Sequence, residues 1–275
     1  MVVYAPDILA RAGGIRYPVG MFAYDPAGFA GAGGLLTWTF CNRGQAWLAL
    51  NWWRHMAAVC PDARPHVVCL DDEAFALLAG HGVPVNRFRG EHAVAREAVA
   101  FRSSTDWPRL TVMKVLIVHD LLGRGLPVFY SDTDVVARGD PRPLVLKGLE
   151  DAALAIQVNH MGTLCSGIFA AMPSPGAVRL FDPAAPGLPA FDPDDPGCDD
   201  QTFLHDRLEA MGDGPAWRFL PRRAFPNGAV WYANRAALAR QAVMVHYNCV
   251  VGTPAKVAEM RHDGAWCVPE ADAGA

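Results

Sequence analysis

The order of apolar runs along the chain predicts an α/β fold, with a mostly parallel central sheet and helices on both faces. Three observations predict it. Short β-branched and aromatic runs alternate with segments whose apolar residues recur at helical spacing from Leu35 onward. Leu110–Leu122 (LTVMKVLIVHDLL) is apolar on nearly every side, as a helix packed against a sheet must be. Finally, the strand-like run Val128-Phe-Tyr130 leads into Ser131-Asp-Thr-Asp134, and ligands of such sheets gather at the carboxyl ends of strands.

Residues 1–34, rich in Gly, Pro and Ala, read as an irregular arm with at most a short helix near Asp7–Ala12. Residues 35–266 read as one domain and 267–275 as a tail. Leu35–Phe40 predicts the first strand, Cys41-Asn-Arg-Gly44 its end, and Gln45–Val59 a helix. His66–Leu70 predicts a second strand, followed by a helix over Glu73–Ala79 capped by Asp71 or Asp72. Val83–Phe88 predicts a third strand. The polar stretch Gly90–Pro108 reads as a loop with one helical turn near Ala93–Ala100. After the acidic strand, Asp140-Pro-Arg-Pro143 reads as a turn, Ala152–Val158 and Ser166–Met172 as strands, and Gly176–Phe181 as the start of a helix. Phe181–Gly197, with its prolines, is a loop. Asp199–Leu208 starts a helix with carboxylates at its amino end, where the dipole favours them. Leu220–Gly228 is turn-rich, Val243–Tyr247 a last strand and Pro254–Asp263 a last helix.

Of the 275 residues 52% are hydrophobic and 19% charged, which describes a globular chain, and the formal charge of -4 supplies no footprint for nucleic acid. The seven cysteines are scattered without a C-x-x-C pair and read as mostly reduced, buried thiols, which favours a reducing compartment and leaves one or two bridges open. No signal-peptide pattern and no membrane-spanning run of about 18 apolar residues occurs. The chain as given therefore reads as soluble, with a cytoplasmic place favoured; a Golgi place would require the chain to be a fragment.

Two carboxylates beside an apolar strand repel each other and resist desolvation unless a cation or donors compensate. Read alone, Asp132 and Asp134 fit either a self-capping turn or a divalent-metal site. Three other places could join them: Asn42-Arg43-Gly44 after the first strand, Asp199-Asp200-Gln201, and His246 with Asn248 and Gly252-Thr-Pro-Ala-Lys256. A glycine opening a helix with a lysine one turn on suits a diphosphate, because free N–H groups and a cation both face it. Taken singly, His246 reads equally as a satisfied core histidine, Lys256 as a solvated helix face, and Lys114 as a side chain that snorkels to the surface.

The runs VFYSDTDVV, GCDDQTFL, FPNG and HYNCVVGTPAKVAEMRHDGAW, in this order, resemble the nucleotide-diphospho-sugar transferases related to plant cell-wall xylosyl- and arabinosyltransferases. The resemblance spans Leu35 to Trp266 and implies the GT-A fold. It implies a glycosyltransferase that moves a sugar from a nucleoside-diphosphate sugar, a UDP-sugar above all, to a hydroxyl acceptor on a glycan, protein or small molecule, with retention. It implies a Mn²⁺ (or Mg²⁺) ion on Asp132, Asp134 and His246, with Asp200 and Gln201 catalytic under the donor sugar. Thr39, Asn42, Lys114, Ser131, Asp132, Ser166, Gly167, Asn248, Gly252 and Lys256 are the implied nucleotide-sugar contacts. The sequence departs from the pattern twice: Ala137 stands where relatives carry a tryptophan, and Cys165-Ser166-Gly167 replaces Asn-Thr-Gly. Two rival readings are a non-catalytic nucleotide-sugar-binding protein on a decayed transferase fold, in which one of Asp132, Asp134, His246 and Lys256 would have been lost, and a two-metal phosphohydrolase.

Overall fold

Strand β1 (Leu36–Cys41) is buried along its whole length and lies inside a seven-stranded sheet, so the site is built at the end of a fully covered strand. The computed structural model of the chain describes residues 34–88, 106–212 and 214–269. Parallel to β1 lie β2 (His66–Cys69) on one side and β4 (Val128–Ser131) on the other, and β3 (Val85–Arg87) extends β2, also parallel. Beyond β4 come β7 (Leu164–Ala171), antiparallel to it, then β6 (Leu154–Val158), and finally β8 (Trp217–Phe219) at the edge, parallel to β6. Four of the six pairings are parallel, in keeping with the predicted sheet.

Alternate residues of the central strands face opposite layers, as period-two geometry demands. Leu36, Trp38, Val128, Tyr130 and Phe169 pack on α3 (Asp106–Gly123), with α5 (Pro175–Phe181) and α6 (Asp200–Met211) in the same layer. Cys41, Phe129, Ile168 and Ala170 face α1 (Ala46–Val59), α2 (Asp72–Gly80) and α4 (Arg142–Leu149). Helix α3 justifies its apolar sequence, since Ile117 and eleven other residues of it are buried; truncating such a position costs about 2–5 kcal/mol. A smaller core joins Val136 and Val245 to Trp231 of α7 (Gly228–Leu238) and Met260 of α8 (Thr253–His262).

The acidic run is not one strand. β4 ends at Ser131, Asp132–Asp134 turn away, and β5 (Val135–Ala137) leaves the main sheet to pair antiparallel with β9 (Met244–His246). That departure draws the chain's carboxyl-terminal part over the end of β4. Elsewhere, Asp140–Pro143 is more than a turn: Asp140 Oδ1 accepts from the Arg142 backbone N–H and α4 begins there. Helix α7 starts at FPNG, where Asn227 accepts from the Val230 N–H, so a turn-like sequence is a helix cap. Strand β8 is three exposed residues, too short for any period to register. The other expected elements in the described residues are present with ends shifted by a few residues; residues 1–33 of the N-terminal arm and the turn near Ala93–Ala100 lie outside those residues. No described helix is long and apolar enough to cross a membrane.

Candidate active site

The turn after β4 is held open by the strand beside it. The Asp132 N–H donates to the Gly167 carbonyl at 2.8 Å, and the Tyr247 N–H donates to the Asp134 carbonyl at 2.9 Å. The two aspartates thereby point into a space bounded by β7 and β9. His246 enters from β9, and one ligand atom from each of Asp132, Asp134 and His246 lies within 4.8 Å of the other two. His246 Nε2 is 3.3 Å from Asp134 Oδ1 and 3.6 Å from Asp132 Oδ2.

Each carboxylate divides its oxygens between the site and a lysine. Lys256 Nζ, from α8, donates to Asp134 Oδ2 at 2.6 Å. Lys114 Nζ, from α3, lies 3.0 Å from Asp132 Oδ1 and 2.5 Å from Asp200 Oδ2, and donates to the Ser166 carbonyl at 3.2 Å. The Tyr130 hydroxyl adds a donation to Asp132 Oδ1 at 2.5 Å. Lys114 is only 3% exposed, so it does not snorkel; it neutralises acids inside the protein.

The charges act accordingly. Burial favours the neutral form of Asp134, yet Lys256 and His246 outweigh it and hold the carboxyl well below the usual carboxylate range. Burial likewise opposes charge on His246, and Asp134 reverses it, raising the imidazole well above its ordinary value. Lys114 is pulled up, against burial, by Asp132 and Asp200. Asp200 shares that ammonium, and burial together with the neighbouring Asp132 keeps its carboxyl above the ordinary range despite Lys114. Three buried or half-buried carboxylates face two lysines here. With the imidazole protonated these charges balance, so a cation that ligates Nε2 displaces that proton. The donor set of two carboxylate oxygens and one imidazole nitrogen fits a hard or borderline divalent ion better than a thiolate-preferring one.

Gly167 lets the ring approach. A Cβ there would lie 2.6 Å from His246 Nδ1 and 2.8 Å from Nε2. Gly252, the residue before α8, has φ +86°, which a glycine adopts without strain.

The remaining expected contacts are distributed unevenly. Asn42 and Thr39 sit, fully buried, at the carboxyl end of β1 next to β4, Thr39 with its hydroxyl inside the protein. Ser131 is turned away from the acids: its hydroxyl accepts from Trp52 Nε1 of α1 at 2.7 Å. Asn248 is used structurally, accepting from the Gly228 N–H at 2.7 Å. Asp199 caps α6 by accepting from the Thr202 N–H, leaving Asp200 turned toward Lys114 and Gln201, half-buried, in the first turn.

Sequence reasoning missed Tyr130, Gln157 and Cys165, whose Sγ lies 3.7 Å from His246 Nδ1. Tyr130 stands two residues before Asp132, the spacing that puts both on one face of a strand. Gln157, the lone polar residue in the apolar strand β6, was the other available signal; its Oε1 lies 2.9 Å from His246 Nδ1.

The model of the nucleotide-diphospho-sugar transferase family matches residues 63–260, well over half of the chain and inclusive of Lys114, Asp132, Asp134, Asp200, His246 and Lys256. Among solved structures, the galactosyltransferase LgtC in complex with donor and acceptor sugar analogues is similar over 86% of this chain and 99% of its own, at 15% identity and a TM-score of 0.51. The bifunctional glycosyltransferase WbbM is similar at 12% identity and a TM-score of 0.53, covering 83% of this chain, which spans about half (47%) of the WbbM chain. The glycosyltransferase GlyE of Streptococcus pneumoniae TIGR4 is similar at 12% identity and a TM-score of 0.50, over 83% of this chain and 63% of its own. A comparison with curated protein sequences finds no match. These likenesses give the sheet and its helices the GT-A fold, and the family match across the acidic turn, Asp200, His246 and Lys256 places the chain in the nucleotide-diphospho-sugar transferase family.

Proposed function

We propose that this protein transfers a sugar from a nucleoside-diphosphate sugar, UDP-linked in particular, to a hydroxyl acceptor with retention of configuration, using Mn²⁺ or Mg²⁺ on Asp132, Asp134 and His246. One observation carries the reading: Asp132, Asp134, His246 and Lys256 converge at the end of one strand, with Lys256 reaching Asp134 from 122 residues away. When bound, the ion supplies electrostatic stabilisation of negative charge on the departing diphosphate. The protein's own part is to hold the acids ionised and to bring cations to that oxygen cluster. Lys256, 26% exposed at the start of α8, reaches the diphosphate together with the backbone N–H groups that follow Gly252. Asp200 and Gln201 in the first turn of α6 stabilise the sugar as its charge becomes oxocarbenium-like. Lys114 keeps Asp132 and Asp200 charged and in place. Glycan, protein and small-molecule hydroxyls are the acceptor classes. The decayed-fold reading expects a lost member of the set, and every member is present.

The test is release of UDP from UDP-hexoses and UDP-pentoses, with and without Mn²⁺, by the protein and by Asp134→Ala. Turnover that needs the ion and falls by about a thousandfold or more in the variant supports the proposal. Equal turnover in both proteins refutes it. Thermal shift across UDP-, GDP- and CMP-sugars identifies the donor, since ligand at a hundred times its Kd stabilises by about 2.7 kcal/mol.

A further inference from the structure

His246 carries two ring nitrogens, and only the one facing Asp132 and Asp134 is placed to ligate. The surroundings of the other nitrogen decide whether it does. Gln157 is fully buried on β6 and uses both ends of its amide. Its Nε2 donates to the Phe225 carbonyl at 3.0 Å, and its Oε1 lies 2.9 Å from His246 Nδ1. A carbonyl can only accept, so the Phe225 contact fixes which end of the amide is nitrogen. The oxygen that remains can only accept as well, so Nδ1 must be the donor. Nδ1 therefore keeps its hydrogen, and the nitrogen left for a cation is Nε2, 3.3 Å from Asp134 Oδ1 and 3.6 Å from Asp132 Oδ2.

The backbone builds this arrangement. Between Ile156 and Gln157 the β6–β7 register shifts, from Ile156 opposite Phe169 to Gln157 opposite Cys165. The residues of β7 skipped by that shift include Ser166 and Gly167, whose carbonyls receive Lys114 Nζ and the Asp132 N–H. Such an irregularity re-aims a side chain, and here it turns Gln157 onto the imidazole.

We infer that Gln157 is a positioning residue that selects the His246 tautomer and aims Nε2 at the metal position, through its bond to Nδ1 and its anchor on the Phe225 carbonyl. This rests on the metal reading proposed above. Partners of this kind tune affinity without touching the ion, typically by 10- to 100-fold.

The experiment measures Mn²⁺ binding by electron paramagnetic resonance, and imidazole coordination by the ¹⁴N modulation in spin-echo spectra, in the full chain and three variants whose melting is recorded in parallel. Gln157→Met fills the space without a strong acceptor, and Gln157→Asn is too short to bridge both partners. Both are expected to bind Mn²⁺ about 10- to 100-fold more weakly with diminished ¹⁴N modulation. Gln157→Glu keeps an acceptor for Nδ1 and is expected to restore affinity to within about fivefold and to restore the modulation. Whichever of the two loss variants folds suffices for the comparison. Wild-type affinity and modulation in a folded Met or Asn variant, or a folded Glu variant as weak as either, overturns the inference while leaving the metal site standing. Failure of the wild-type protein to bind either Mn²⁺ or Mg²⁺ overturns the metal reading, and this inference falls with it.

Discussion

Replacing Gly167 with alanine tests the geometry of the site through a single methyl group. The added Cβ would lie 2.6 Å from His246 Nδ1 and 2.8 Å from Nε2, closer still to the carbon between them. Ordinary contact between such atoms needs about 3.5 Å, and the nearest ring atom, the carbon between the nitrogens, must therefore withdraw by about 1.5 Å. Ligand distances tolerate only about 0.2 Å. The backbone offers no such obstacle, since Gly167 has no positive φ, so the whole effect falls on the imidazole. We expect Gly167→Ala to weaken Mn²⁺ binding by at least about tenfold and to cost about 1–3 kcal/mol of stability, as overpacking does. The decisive assay is a double-mutant cycle with His246→Ala, read by Mn²⁺ titration and by denaturant unfolding. Once the ring is gone the methyl has room, so the double variant should bind no more weakly than His246→Ala alone, with a coupling of about 0.5–3 kcal/mol in stability. Additive losses, or wild-type Mn²⁺ affinity in Gly167→Ala, would refute the reasoning.

Two further outcomes follow from buried charge. Lys114→Met leaves Asp132 and Asp200 without their shared ammonium and should destabilise by about 3–5 kcal/mol at pH 7.5. The deficit should shrink as pH falls, because the carboxyl of Asp200, already raised by burial, takes up a proton in the folded variant; a deficit that grows on acidification contradicts this. His66 on β2 is held neutral by burial, its pKa lowered to about 3. The unfolded chain protonates it first, so its contribution to stability is full above pH 6.5 and declines as pH falls from there toward 3. At pH 5 the loss is about 2 kcal/mol. Denaturant unfolding at pH 7.5 and 5.0 should show that difference in the protein and not in His66→Gln, and equal pH slopes would count against the assignment.

Much of this was legible before any coordinates. Helix α3 and strands β1, β2 and β4 announce themselves because a covered sheet needs continuous apolar runs, and burial imposes that pattern locally. The elements that stayed hidden have local reasons. β8 is three residues long, and the starts of α4 and α7 carry Pro, Asn and Gly, which serve caps and turns alike. The candidate site divides in the same way. Asp132, Asp134, His246 and Lys256 could be singled out by residue type and neighbourhood, because acids beside a strand and a lysine one turn into a helix are unusual in cost or geometry.

The sequence by itself determined the layered α/β plan and the kinds of groups present, since both follow from short-range periodicity and residue chemistry. Only the tertiary structure decided that Lys114 is a buried counter-ion and not a surface lysine, that Ser131 turns its hydroxyl to Trp52, and that Gln157 aims His246. These depend on pairings such as β5 with β9 and on the shifted register of β6 against β7. Contacts between residues far apart in the chain carry no local pattern, because the energy that fixes them, charge neutralisation and hydrogen bonding out of water, arises only once the sheet has brought the partners together.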